Sequence, residues 1–222
     1  MGFLDSWFGR PDVALLSKQD NVNGLVRALK YKKDSAIRKQ AAEELGAKFD
    51  FQVTARIADL GVRMVGLQNV PPPDRRKFVA KNLADLLKNN PSKALTALSA
   101  SLGDEDAGVR ASAATAVGRM WCRPGMMQNS LGTLLRWIPP DELSRLERSV
   151  VAARSGSSFL KTLAHCLHDA DDTVRRAAVE ALQRTQERAA IPDLSVTAAK
   201  EPNPELRKAE EQAVAQLESV RQ

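Results

Sequence analysis

The sequence predicts an all-α fold, a right-handed α-solenoid of about six helical hairpins, and three observations carry the prediction. An acidic or amide residue, two variable residues, a branched apolar residue and an arginine recur as Asp34-Ser-Ala-Ile-Arg38, Asp106-Ala-Gly-Val-Arg110, Asp171-Asp-Thr-Val-Arg175 and Asn203-Pro-Glu-Leu-Arg207. Seven residues after each arginine stands Leu45, Val117, Leu182 or Val214, so one helix face is written four times. The arginines lie 72, 65 and 32 residues apart, which leaves room for two weaker copies. Pro73-Asp74-Arg75-Arg76 leads into Val79, Ala80 and Leu83, and Pro140-Asp141-Glu142-Leu143-Ser144 leads into Leu146, Val150 and Val151. With Arg76 and Ser144 in the arginine position the steps become 38, 34, 34, 31 and 32 residues, and a fixed period in this range marks a stack of repeats.

Each unit divides into two helices. The first, helix A, carries paired apolar positions: Leu25, Val26, Ala28 and Leu29; Leu95 and Leu98; Leu160, Leu163 and Leu167. Pro91 and Pro192 stand near helix A openings, where a missing amide hydrogen costs nothing. Helix B follows a short polar turn, and the Asp or Asn four residues before its arginine is placed to cap it. Alanines such as Ala41, Ala42, Ala113, Ala114, Ala177 and Ala178 fill one stripe of helix B, where small side chains let neighbouring repeats approach. In the two weaker units, Gln52 to Gln68 and Met127 to Trp137 supply helix A, followed by the proline turns Val70-Pro71-Pro72-Pro73 and Ile138-Pro139-Pro140. The B helices are expected to line the inner face, with residues 1–20 an amphipathic capping segment and 21–222 the repeat array.

These Asp-x-x-Val-Arg turns resemble those of the HEAT-repeat proteins, in the bacterial branch of HEAT-like or phycobilisome-lyase-type repeats. Ala190-Ile191-Pro192-Asp193-Leu194 and the stretch opening at Gly24 carry the resemblance further, over roughly residues 20 to 220. The resemblance implies a ladder in which each arginine reaches the turn aspartate of an adjacent repeat. Asp34, Asp74, Asp106, Asp141 and Asp171 are available to Arg38, Arg110, Arg175 and Arg207. It also implies a non-catalytic scaffold that holds a partner protein on the concave face. Relatives of this repeat type imply two alternatives, a DNA glycosylase-like nucleic-acid binder and a bilin lyase-like enzyme that attaches a chromophore.

Composition fits a stacked array. Only 5% of the 222 residues are aromatic against 43% hydrophobic, too few for a large central core but sufficient for layers of Leu, Val and Ala. No apolar run is long enough to span a membrane and no signal peptide is recognisable, so a cytoplasmic protein is expected. Cys122 and Cys166 form no CxxC, in keeping with a reducing compartment. His165 and His168, with Cys166 and Asp169 nearby, are too few for a metal site without ligands converging from elsewhere. No nucleophile elbow, P-loop or dinucleotide fingerprint occurs, so neither a catalytic residue nor a cofactor is expected.

Two features remain open to function. Cations follow or flank the repeat arginines, and Lys39, Lys77, Arg176 and Lys208 form a row that could face an acidic partner, broken by Ala111 in the third unit. A net charge of +6 gives weak support to nucleic acid, with Trp121 or Trp137 as stacking candidates or ordinary packing residues. The loop Trp121 to Met127 is either a binding element or a connector. At the amino terminus, Phe3, Leu4, Trp7 and Phe8 form one apolar stripe, read as a cap over the first repeat. A membrane-interface wedge is the alternative, and a formal match to the myristoylation pattern is a third.

Overall fold

The computed structural model describes residues 9–49, 74, 91–120 and 157–219, and all the described regular structure is helical. Residues 9–20 lead in through α1 (Val13–Lys18), whose first turn is capped by Asp12 accepting from Leu15 N at 2.9 Å. Four hairpins follow among the described residues. The first pairs α2 (Val22–Ala28) with α3 (residues 35–49), and the second pairs α4 (Pro91–Ser101) with α5 (Ala107–Met120). The third pairs α6 (Ser157–Cys166) with α7 (Asp172–Thr185). A single 3-10 turn, Arg188–Ala190, then leads to α8 (Ile191–Ala198) and α9 (Pro204–Ser219).

Each second helix starts where its polar turn says it should. Asp34 accepts from Ala36 N at 2.9 Å, Asp106 from Val109 N at 3.0 Å, Asp171 from Thr173 N at 2.8 Å and Asn203 from Glu205 N at 3.0 Å. Each bond satisfies an amide that the first turn of a helix leaves without a partner. Leu45, Val117 and Leu182 are fully buried and Val214 is half-buried, so the shared apolar face turns inward. The alanine stripe goes with it: Ala41, Ala113 and Ala178 are all buried.

The layers stack into an all-α solenoid. α5 packs on α7 and α7 on α9, while α3 lies directly against α5. A methyl group built on Gly46 of α3 would sit 2.8 Å from the Cα of Ala116, and one on Gly118 of α5 would sit 2.6 Å from the Cα of Ala181 in α7. Backbones this close set α3 directly on α5 and α5 directly on α7. The expected helices at Gln52 to Gln68 and Met127 to Trp137, with Arg76 and Ser144, lie outside the described residues. Asp74 is helical and exposed.

Candidate partner-binding face

Arginine side chains fasten one layer to the next. Arg38 directs Nε and Nη2 to the two carboxylate oxygens of Asp104, each at 2.8 Å, while Nη1 donates to the carbonyl of Tyr31 in its own turn at 3.2 Å. Arg110 repeats the arrangement with Asp169 at 2.7 and 2.8 Å and with the carbonyls of Asp104 and Glu105. Arg175 does so with Glu201 at 2.9 and 3.0 Å and with the carbonyl of Asp169 at 2.8 Å. Arg207, in the last layer, gives Nε and Nη2 to the carbonyl of Glu201.

The acceptors differ from those the family resemblance implies. They are Asp104, Asp169 and Glu201, each two residues before the capping residue of its helix. The capping carboxylates Asp106 and Asp171 already accept amide hydrogens from their own first turns, whereas the acid two residues earlier points back at the preceding layer. It also closes its own turn: Asp104 accepts from Asp106 N, Asp169 from Asp171 N and Glu201 from Asn203 N, each at 3.0 Å. Asp34 accepts from Arg10 at 3.0 Å, at the edge of the array. Hydrogen bonds from Arg110 hold the Asp169 carboxyl below its usual range. At Asp104 burial pushes upward, yet the bonds from Arg38 and Asp106 N outweigh it and the net shift is downward. Planar, bidentate, poorly solvated pairs of this kind resist loss of either member.

With the layers fixed, α3, α5 and α7 lie side by side and enclose an open groove of about 690 Å³. Its floor is α5, through Gly108, Ala111 and Thr115, all half-buried. Its walls carry the same sequence of charge. On each wall a cation is followed one turn later by a carboxylate, Lys39 and Glu43 on α3 and Arg176 and Glu180 on α7, and Arg119 of α5 also lines the groove. The four wall charges are exposed. Glu43 accepts from Ser112 Oγ at 3.1 Å, and Arg176 reaches Glu205 at 3.6 Å.

The four cations singled out in the sequence thus separate. Lys39 and Arg176 share the groove, Lys208 is exposed on α9 outside the groove lining, and Lys77 lies outside the described residues. The acidic row at Glu43 and Glu180 is what the sequence reading missed. Both glutamates stand five residues after their arginines, and that common offset was the available signal.

Elsewhere the chemistry is sparse. Cys166 is buried, and burial pushes its thiol up to about 11, which keeps it protonated. His165 and His168 are exposed, and among the described residues no three metal-ligating side chains cluster. No described helix is long and apolar enough to cross a membrane. Phe3, Leu4, Trp7 and Phe8, with Trp121, Trp137 and the loop to Met127, lie outside the described residues. Among the described residues, α1 packs on α2 through Leu16 at Gly24, and Ser17 donates to Glu44 of α3 at 2.5 Å.

Comparison with known proteins relates part of the chain to a family. No curated protein matches the chain. Among solved structures, a designed armadillo repeat protein in complex with the peptide (KR)4 covers 96% of this chain and 88% of its own, at 16% identity and TM-score 0.41. An engineered protein covers 93% and 83%, at 20% identity and 0.38. Human deoxyhypusine hydroxylase in complex with glycerol covers 94% and 77%, at 16% identity and 0.39. These likenesses are too distant to bear on function. Residues 140–215, which include the Arg175 and Arg207 turns, match the family model of HEAT repeats, and the resemblance read from the Asp-x-x-Val-Arg turns is thereby borne out.

Proposed function

We propose that this chain is a non-catalytic scaffold that seats a segment of a partner protein in the groove of α3, α5 and α7. The observation that carries the reading is the groove itself: a recessed floor of Gly108, Ala111 and Thr115 between two charged walls. The ladder behind it supports this use, since a surface held rigid before binding loses less entropy on association. Residues 1–20 complete the scaffold as a cap at its first layer, in keeping with the contacts of α1 to α2 and α3, and the proposed setting is the cytoplasm. Nucleic acid is the weaker reading, because Glu43 and Glu180 place carboxylates beside the cations of the groove walls and would repel a phosphate backbone.

Display selection from a peptide library tests the proposal. The wild-type protein should enrich peptides that an Ala111→Trp variant, with its groove floor filled, no longer holds. Enriched peptides that bind both proteins alike would overturn it. So would tight duplex binding whose logarithmic salt slope, about −3 to −4, is lost on neutralising Lys39, Lys77, Arg176 and Lys208.

A further inference from the structure

We infer that the amino-terminal end of the array is a docking face for an anionic lipid surface. None of the groove residues takes part, so a docked scaffold keeps its groove open. The charge of the turns changes sign at this end. The turns that open α5 and α7 are acidic, Asp104-Glu105-Asp106 and Asp169-Ala170-Asp171-Asp172, whereas the turn that opens α3 reads Lys30-Tyr31-Lys32-Lys33-Asp34. Residues 9–34 hold six cations and three carboxylates, so half of the net charge of +6 lies in this short stretch.

Packing sends that charge outward. In the later layers the residue six before the arginine is the acid that points back at the preceding layer. In the first layer the same position is Lys32, which is exposed, as are Lys30 and Lys33. Arg10, 75% exposed, joins them through Asp34 at 3.0 Å. α1 continues the face. Its inner side holds Val13, which is buried, and Leu16, which meets Gly24 of α2, while Leu15 and Lys18, three residues apart, share the exposed side. The carboxylates of the stretch are engaged: Asp12 caps α1, Asp20 pairs with Lys48 and Asp34 with Arg10. Lys18, Lys30, Lys32 and Lys33 form no ion pair among the described residues.

What stands among the cations selects the occupant. Leu15 is 49% exposed and, with Val196, is one of the two large apolar side chains left in water among the described residues. A nucleic-acid backbone would satisfy the lysines and leave Leu15 hydrated. An anionic bilayer offers headgroups to the cations and an apolar layer just beneath them to Leu15. A second copy stacked on this end is disfavoured, because its Arg207 would meet Lys32 where every rung has an acid. Each cation held near an anionic leaflet strengthens binding by about fivefold, and the attraction fades within a Debye length, about 8 Å at physiological salt.

Sedimentation of the full chain with sucrose-loaded vesicles provides the test. Binding should be clear with vesicles containing phosphatidylserine, weak with phosphatidylcholine alone, and should fall as salt rises. A Lys30→Ala, Lys32→Ala, Lys33→Ala triple variant should bind the charged vesicles about a hundredfold less. An Arg184→Ala, Lys200→Ala, Lys208→Ala triple, which removes the same charge from exposed positions of the last two layers, should bind like wild type. Leu15→Ser should weaken binding a few-fold and leave the salt dependence unchanged. All these positions are exposed, so circular dichroism should show the fold retained, and Lys32→Ala alone, about fivefold weaker, serves where the triple does not fold. Equal loss in the two triples, equal binding to charged and neutral vesicles, or binding to neither would overturn the inference. So would a DNA duplex bound more tightly than the charged vesicles and held equally well by Leu15→Ser, which would assign the face to nucleic acid.

Discussion

The first two layer steps and the last make the same junction from different parts. From α3 to α5 and from α5 to α7, a glycine eight residues after the arginine, Gly46 or Gly118, brings backbones together, and the acid that receives the arginine is an aspartate. From α7 to α9 the corresponding residue is Gln183, which hydrogen-bonds Gln216, and the acid is Glu201. One junction pairs no side chain with a short carboxylate; the other pairs a long amide with a carboxylate one methylene longer. The guanidinium geometry is kept in all three. The difference teaches that the rung is the fixed element and that layer spacing is adjusted around it through two coupled positions.

The largest effect that bears on this comparison is loss of a rung. Arg110→Ala leaves Asp169, 13% exposed, without its counter-ion and should cost about 3–5 kcal/mol in urea denaturation. The Asp169 pKa is lowered in the folded state, so the unfolded chain takes up the proton more readily. The contribution of the rung is complete above the unfolded carboxyl value of about 3.9 and fades as pH falls through the lower folded value. Wild type and Arg110→Ala should therefore converge in stability only at acid pH.

Next comes the glycine step. Gly118→Val pushes a side chain against the backbone of Ala181 and should destabilise by about 1–3 kcal/mol or more, whereas Gln183→Val at the last step should cost well under that. Comparable losses at both sites would break the distinction drawn between the steps.

The last layer departs from the others at a further position. Three residues after the arginine stand Ala41, Ala113 and Ala178, all buried, and then Glu210, which is equally buried with the Thr197 hydroxyl beside its carboxylate. Burial raises its pKa, so its ionisation opposes folding above the unfolded value of about 4.3 and does so fully beyond the folded one. Glu210→Gln should stabilise by about 1 kcal/mol or more at neutral pH and lose that advantage in acid. A variant that melts below wild type at neutral pH would show that the carboxylate is favourably placed.

The smallest effects separate cap from groove. Asp106→Ala should cost about 1 kcal/mol, the usual loss for an N-cap, while Lys39→Ala on the exposed wall should change the melting temperature hardly at all. Equal shifts in paired thermal scans would mean that Lys39 is structural.

How much of this was legible in the sequence follows from the same positions. The helix starts at Asp34, Asp106, Asp171 and Asn203, and the buried column at Leu45, Val117 and Leu182, could be read because capping and helical periodicity are local. The direct contact of α3 with α5 could not, because nothing local in the sequence says which layers touch. The rung acids were missed because Asp106 and Asp171 are nearer the arginine and looked equally suitable, and only three-dimensional placement shows them occupied as caps. One column held the answer: six residues before the arginine stand Lys32, Asp104, Asp169 and Glu201, acidic in every layer that has an arginine beneath it. The groove was half visible, as a basic row without its acidic companion.

The reach of the rungs along the chain bears on the order of assembly. Arg38 finds its carboxylate 66 residues away and Arg175 finds its own only 26 away. Closing the longer loop costs about 0.8 kcal/mol more in chain entropy, and contacts of short sequence separation form faster. In a stack where each layer touches only its neighbours, growth proceeds outward from whichever pair forms first. The junction of α7 with α9 is thus favoured as the nucleus, and the array would be completed from the carboxyl end toward the amino end, against the direction of synthesis.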